Sequence, residues 1–345
     1  MKKYLIEFSE NAVTALKQLN SIGDTESQTL FVTKDQKMIG TLTDGDIRRG
    51  LLKGLDTSVP IASFMNTNFK LIYKDKFNLD EIAKYRQDNI KLLPILDEND
   101  RIVNLIDLTK TLTKLPLTAV LMAGGLGSRL SPLTDNIPKP MLLVGEKPIL
   151  EHNIDRLIKF GIQEIFISIK YLKEQIIDYF GNGSQKGISI KYIVEEEPLG
   201  TIGALSLMDK TSKKRILLMN SDILTDVDFE LMYRNHILHQ KKMTVLSIPY
   251  QIDIPYAVME TKGEKVLNFQ EKPSLTYYTN GGVYLMDVDL VSKIPRNSFY
   301  NATDLMQQLL KNKELGHYSH KGFWLDIGKP KDYEQSQELI SKLKL

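Results

Sequence analysis

The sequence predicts an α/β chain, an open and mostly parallel sheet of Rossmann-like layout, preceded by a smaller α+β domain. Three observations predict it. From residue 117 onward, apolar strand runs alternate with helical patterns, as in βαβ units. The first of these runs, Ala119 to Ala123, is almost wholly apolar, as a strand buried on both faces would be. Before it, residues 1–115 twice repeat a helix–strand–strand–helix cycle. At 345 residues the chain exceeds what one core normally serves, so two domains, 1–115 and 117–345, are expected.

In the first domain, Ala12, Val13, Ala15, Leu16 and Leu19 mark one helical face between Asn11 and Leu19. Strands follow at Thr29 to Thr33 and Met38 to Leu42, separated by a turn at Gln36-Lys37. Thr43-Asp44-Gly45-Asp46 opens a helix reaching Leu52, with acids where exposed N–H groups need partners. The second cycle reads as a helix near Asn78 to Arg86, strands at Leu92 to Leu96 and Ile102 to Ile106, and a helix from Asp107. Pro116 breaks that helix and marks the boundary. In the second domain, helices are expected at Leu150 to Phe160, Lys173 to Phe180 and Lys331 to Leu345. Strands are expected at Ile165 to Ile169, Ile188 to Val194, Arg215 to Met219 and Thr244 to Pro249. Right-handed crossovers would gather the loops after these strands on one edge.

The bulk numbers exclude several classes. Lys and Arg total 45 against 43 Asp and Glu, and residues 1–115 hold 17 and 16 of them, so neither half has the one-sided charge of a nucleic-acid binder. No window approaches the ~20 apolar residues of a membrane span, and the N-terminus lacks a secretory apolar core. A cytoplasmic protein is expected. There is no cysteine, which removes disulfides, thiolate nucleophiles and Cys-based metal sites.

The strand at Ala119 runs into Gly124-Gly125-Leu126-Gly127-Ser128-Arg129. A glycine loop lets backbone N–H groups close on an anion. It is not a Walker A loop, since no Gly-Lys-Ser/Thr follows, and Leu130 stands where the dinucleotide fingerprint needs Gly. Next comes Pro138-Lys139-Pro140, a lysine braced between prolines, which suits one ammonium held against a polyphosphate.

The whole run from Leu121 to Leu150, LMAGGLGSRLSPLTDNIPKPMLLVGEKPIL, resembles the signature of the NDP-sugar pyrophosphorylases, whose sheet is of the glycosyltransferase-A-like kind. Further segments resemble that family in order: Glu197-Pro198-Leu199-Gly200-Thr201-Ile202-Gly203-Ala204, Leu217 to Asp222, Tyr256-Ala257-Val258, Glu271-Lys272-Pro273, Asn280-Gly281-Gly282-Val283-Tyr284 and Trp324 to Gly328. The resemblance covers about residues 117–335. It implies a sugar-1-phosphate nucleotidyltransferase, in which a sugar-phosphate oxygen attacks the α-phosphorus of an NTP and pyrophosphate leaves. With a second phosphate pKa near ~6 the nucleophile is already anionic, so the difficulty is charge rather than proton transfer.

The resemblance assigns roles. Met122, Ala123, Gly124, Gly125, Gly127, Glu197, Gly200 and Thr201 would bind the nucleotide. Arg129, Lys139 and Lys272 would be the catalytic cations, and Asp222 and Asp326 would hold Mg²⁺, which usually takes one or two carboxylates plus phosphate oxygens. Ala257, Glu271, Lys272, Asn280 and Val283 would form the sugar pocket. The Glu-x-Pro-Leu-Gly-Thr form matches the guanylyltransferases, and the layout resembles bacterial glucosamine-1-phosphate or mannose-1-phosphate guanylyltransferases of nonulosonic acid pathways, which implies GTP. UTP, dTTP or CTP relatives, phosphocholine cytidylyltransferases included, stay open. An inactive nucleotide-sensing subunit would have lost Lys139, Asp222 or Asp326, and all three are present.

Residues Gly40 to Arg49, GTLTDGDIRR, resemble one half of a tandem CBS pair. That resemblance implies a regulatory purine nucleotide held by Thr43 and Asp46, and a homo-oligomer formed through the pair. In the second copy Asp107 and Lys110 stand at those positions, so the acid is missing there. Glu195 and Glu196 read as solvated, and His236, His239, His317 and His320 as surface residues.

Overall fold

The computed structural model describes all residues except 24, 25, 75, 77 and 341–345. The chain divides into two compact units, Met1–Lys114 and Leu115–Leu345.

The first unit contains β1 (Leu5–Glu7), α1 (Ala12–Ile22), β2 (Leu30–Lys34), β3 (Lys37–Leu42), α2 (Asp44–Leu52), β4 (Ile72–Tyr73), α3 (Leu79–Gln87), β5 (Leu92–Leu96) and β6 (Ile102–Asp107). Its two sheets, β1-β2-β3 and β4-β5-β6, share one pattern, a parallel first pair and an antiparallel second pair. The helix starts are set by local caps. The Asn11 side chain accepts from the Thr14 N–H at 2.9 Å, and Thr43 and Asp46 form a reciprocal capping box on α2. The expected helix from Asp107 does not form. One turn closes there, with Thr111 N–H on the Asp107 carbonyl at 2.9 Å, and Asp107 spends its carboxylate on the Thr109 N–H and hydroxyl instead.

The second unit follows with β7 (Leu117–Met122), the short hairpin β8 (Leu143–Val144) and β9 (Lys147–Pro148), α4 (Ile149–Lys159), β10 (Glu164–Ile169), α5 (Lys173–Phe180), β11 (Ser189–Val194) and β12 (Arg215–Asn220). Then come β13 (Ile223–Thr225), α6 (Phe229–Leu238), β14 (Met243–Asp253), β15 (Val258–Lys262), β16 (Lys265–Gln270), β17 (Ser274–Asp287), α7 (Ala302–Lys311), β18 (Leu315–Ser319), β19 (Trp324–Asp326) and α8 (Pro330–Ile340). The main sheet has the order β11-β10-β7-β12-β17-β14-β18. It is mostly parallel, with β17 running antiparallel to both neighbours. Ala119, Val120 and Leu121 of β7 are all fully buried, so both faces of the sheet are covered. One core joins Val120, Phe166 and Leu218 to Leu305 and Leu309 of α7. The chain leaves β7 toward β10 and β11 and returns to β12 on the other side, which makes β7 a topological switch point. Among the described residues, no helix is long and apolar enough to cross a membrane.

Two histidine and glutamate readings need correction. His236 is fully buried, its Nδ1 2.8 Å from the Thr244 hydroxyl, because α6 turns that face onto the sheet. Burial, followed by the charge of Arg215, pushes its imidazole below the usual range, and Asp287 only partly opposes this. Glu195 is buried too, since it continues the inward parity of Ile193 beyond β11.

Candidate active site

The ends of three parallel strands are tied together by loop hydrogen bonds. Ala123 N–H donates to the Ser168 carbonyl at 2.8 Å, and Ser221 N–H donates to the Met122 carbonyl at 3.1 Å. This fixes where the glycine loop leaves β7 and where Asp222 follows β12. Gly127 has φ +67°, and a Cβ there would lie 2.9 Å from the Lys139 side chain and 3.0 Å from Thr134. Only glycine fits that position without strain. The Thr134 hydroxyl also donates to the Gly127 carbonyl at 2.9 Å. A Cβ on Gly125 would meet nothing within 4 Å, so its open side faces the crevice.

Lys139 sits in a tight turn between its two prolines, is buried, and pairs with the Asp222 carboxylate. Asp222 and Asp326 are more than a hundred residues apart, yet the antiparallel β13–β19 ladder sets Ile223 opposite Asp326. Ile327 N–H donates to the Asp222 carbonyl at 3.0 Å. A Cβ on Gly328 would lie 3.6 Å from the Arg129 guanidinium and 3.7 Å from Asp326 Oδ1, which puts that cation beside the second acid. Burial, then the charge of Asp222, raises the Asp326 carboxyl above the usual carboxylate range, against the pull of Lys139 and Arg129. Its Oδ1 is buried with no hydrogen-bond partner.

Gly124, Gly125, Gly127, Arg129, Lys139, Glu197 and Asp222 line one cavity of about 570 Å³, with Lys170 and Gly328. Met122 and Ala123 lead into it from β7. Lys170 has no counterpart among the sequence-derived candidates. It follows β10 directly and donates to the Glu196 carbonyl at 2.8 Å, and its place at a parallel strand end was the available signal. Glu195 was also missed. It accepts from the Ser168 hydroxyl and from Leu199 N–H at 3.1 Å, and a Cβ on Gly124 would lie 2.7 Å from its Oε1. The buried carboxylate therefore ties the loop after β11 to the floor under Gly124.

Other candidates lie elsewhere. Gly200 has φ +76° and packs on the Tyr300 carbonyl, while Thr201 accepts from Ala302 N–H at 2.7 Å and so caps α7. Ala257, Glu271 and Lys272 are exposed where the two-stranded arm beyond β14 and β17 is interrupted, and they do not line the cavity. Asn280 accepts from Gly282 N–H at 3.0 Å and donates to the Tyr284 hydroxyl at 2.8 Å. It borders a separate groove of about 390 Å³ with Tyr278 and His317. Val283 pairs with Met219 and is fully buried, so it faces neither cavity.

A sequence profile of the nucleotidyl transferase family matches residues 118–342, well over half of the chain. The chain belongs to that family. A D-glycero-alpha-D-manno-heptose 1-phosphate guanylyltransferase from Aneurinibacillus thermoaerophilus is 33% identical over 229 residues, covering 64% of this chain and 97% of that one. A mannose-1-phosphate guanyltransferase from Debaryomyces hansenii is 30% identical over 226 residues, 63% of this chain and 62% of that one. The chain thus spans about three fifths of the length of the mannose-1-phosphate relative. The structure of HddC from Yersinia pseudotuberculosis complexed with GMP-PN matches with a TM-score of 0.51 at 24% identity, covering 65% of this chain and 99% of that chain. This nucleotidyl transferase unit has that fold; its glycine loop, Lys139 and Asp222 line one crevice at the switch point, and Asp326 lies beside Asp222 without lining it.

In the first unit, Thr43, Asp46 and Arg49 border a cavity of about 500 Å³ with Asn66, Lys70 and Lys91. The Asp46 carboxylate accepts from Thr43 N–H at 2.9 Å, from the Thr43 hydroxyl at 2.7 Å and from Arg49 at 2.6 Å. In the repeated copy, Lys110 stands 3.7 Å from Asp107.

Proposed function

We propose that the chain is a GTP-using sugar-1-phosphate guanylyltransferase, forming a GDP-sugar and pyrophosphate from mannose-1-phosphate, glucosamine-1-phosphate or a similar aldose phosphate. The observation that carries the reading is that Gly125, Lys139 and Asp222 line one crevice, with Asp326 set beside Asp222 by the β13–β19 ladder. The names of the two guanylyltransferase relatives support guanine as the base.

The reaction brings two polyanions together, so the work is positioning and charge neutralisation. The glycine loop presents backbone N–H groups to the triphosphate. Lys139 and Arg129 offset the charge that builds on the leaving pyrophosphate. Asp222 and Asp326 fit a divalent ion, because a buried carboxylate oxygen without a partner beside a second acid is a good ligand set for Mg²⁺. When bound there, Mg²⁺ would supply further neutralisation of the phosphate oxygens. Lys272 and Glu271 would reach the sugar phosphate and hydroxyls from the arm.

The first unit is proposed to be a CBS pair holding a purine nucleotide at Thr43 and Asp46. Its repeated sheet pattern and the cavity at those residues support this. The decisive experiment is pyrophosphate release with GTP, UTP, dTTP and CTP against mannose-1-phosphate, glucosamine-1-phosphate and glucose-1-phosphate. Release with GTP is expected. Turnover confined to a pyrimidine nucleotide would overturn the base assignment, and no turnover with any pair would overturn the reaction.

A further inference from the structure

Lys170 lines the crevice but has no part in the charge neutralisation carried by Lys139 and Arg129. The sheet order β11-β10-β7-β12 sets the two flanks of the glycine loop apart. On the β12 flank, Asp222 pairs with Lys139, and Arg129 stands beside Asp326. On the β10 flank, Lys170 follows β10 directly, while Glu197 and Pro198 come from the loop after β11. A Cβ on Gly124 would lie 3.6 Å from the Lys170 Cβ, so the stem of the lysine runs against the glycine loop itself.

The ammonium is fixed in place and only partly used. Tyr171, next in the chain, donates its hydroxyl to the Asp135 carbonyl at 2.7 Å. Lys170 donates to the Glu196 carbonyl at 2.8 Å. These ties fasten the end of β10 to the segment after the glycine loop and to the loop after β11. An ammonium has three N–H donors. Among the described residues, the Glu196 carbonyl takes one, and the Glu197 carboxylate stands 3.6 Å away, beyond hydrogen-bonding reach. The Glu197 side chain is 87% exposed, and exposed ion pairs hold weakly. Two donors are therefore left for a ligand in the cavity, whereas Lys139 is spent on Asp222.

A nucleotide whose phosphates run along the glycine loop toward Lys139 and Asp222 sets its base on the β10 flank. We propose that Lys170 reads that base, donating to the 6-keto oxygen of guanine and to N7 beside it. This rests on the guanylyltransferase reading of the crevice. The discrimination is one of hydrogen-bond sense. Guanine presents two acceptors on this edge, O6 and N7, and lysine is one of the side chains that commonly meets them. Adenine presents an amino donor where guanine has O6, and an ammonium has no acceptor to offer it.

The test compares GTP with the triphosphate of 2,6-diaminopurine riboside, which carries an amino group in place of O6 and keeps N7 and the 2-amino group. Calorimetric titration of the full-length chain with Mg²⁺ gives a Kd for each. The unmodified chain should bind GTP more tightly. Lys170→Met should shrink that preference by about tenfold to a hundredfold, the worth of a hydrogen bond to a charged group. Lys170→Arg, which keeps a donor, should retain part of it. Weakening by the same factor for both nucleotides in Lys170→Met would place the ammonium on phosphate, or make it a mere prop for the Glu196 loop, and would overturn the proposal. An unchanged preference would overturn it too, as would an unmodified chain that binds both nucleotides alike or binds neither. Binding is read apart from turnover. A preference for GTP that Lys170→Met removes, with no pyrophosphate released, would refute the reaction and leave the base contact standing.

Discussion

Replacing Lys139 by Met keeps the length of the side chain and removes its charge. The Lys139 side chain is only 10% exposed and that of Asp222 23%, so the pair is largely shielded from water. Without the ammonium, Asp222 faces Asp326 across a site where burial already disfavours the second carboxylate. Breaking a buried pair by removing one partner costs about 3–5 kcal/mol. Asp222 keeps some water contact, which places the cost near the lower figure, about 3 kcal/mol. For a unit of this size that lowers Tm by roughly 6–12 °C. Calorimetric melting of the full chain in the presence of a chelator reads it, in the transition of the second unit. Asp222→Asn added to Lys139→Met should recover most of the loss, because it removes the stranded charge. A Lys139→Met chain melting within about 1 °C of the wild type, or a double variant as unstable as the single one, would refute the reasoning.

Two further outcomes are expected. His236 is held neutral in the fold, with its pKa below the unfolded value, so it contributes stability above the unfolded pKa that is lost as pH falls through the folded one. Denaturant midpoints measured from pH 8 down to pH 5 should therefore fall less steeply for His236→Gln than for the wild type; parallel slopes would contradict this. Glu195→Ala leaves the Leu199 N–H and the Ser168 hydroxyl without their partner. A stability loss of about 1–3 kcal/mol by urea titration is expected, together with a raised KM for the nucleotide, and an unchanged KM would show that the tie does not position the loop.

Much of the fold was legible because local signals agreed with one another. Asn11 and Thr43 cap helices where the sequence suggested starts, and Leu92 to Leu96 reads as a strand and is one. β17 was not legible, because Asn280-Gly281-Gly282 looks like a turn. Instead the strand passes through, with Gly282 at φ +67° and a shifted register against β14. The glycine loop, Lys139 and Asp222 could be picked out since glycine loops, braced lysines and strand-end acids each have a local mechanical reason, and they line one cavity. Glu195 could not, because three consecutive glutamates look solvated until strand parity is counted from Ile193. The sugar-contacting candidates depend on the arm, whose exposed sequence carries no local statement of what it rests against.

The way Asp326 comes to lie beside Asp222 has a bearing on biosynthesis. The glycine loop and Lys139 stand near the start of the second unit, whereas the second acid arrives on β19, and α8 then fastens behind it, with the Tyr333 hydroxyl 2.7 Å from the Leu143 carbonyl. At translation rates of about 5–20 residues per second, the glycine loop and Lys139 are made on the order of ten seconds before Asp326. On the proposed reading, the two carboxylates come together only once β19 has paired with β13, more than a hundred residues after Asp222 is made.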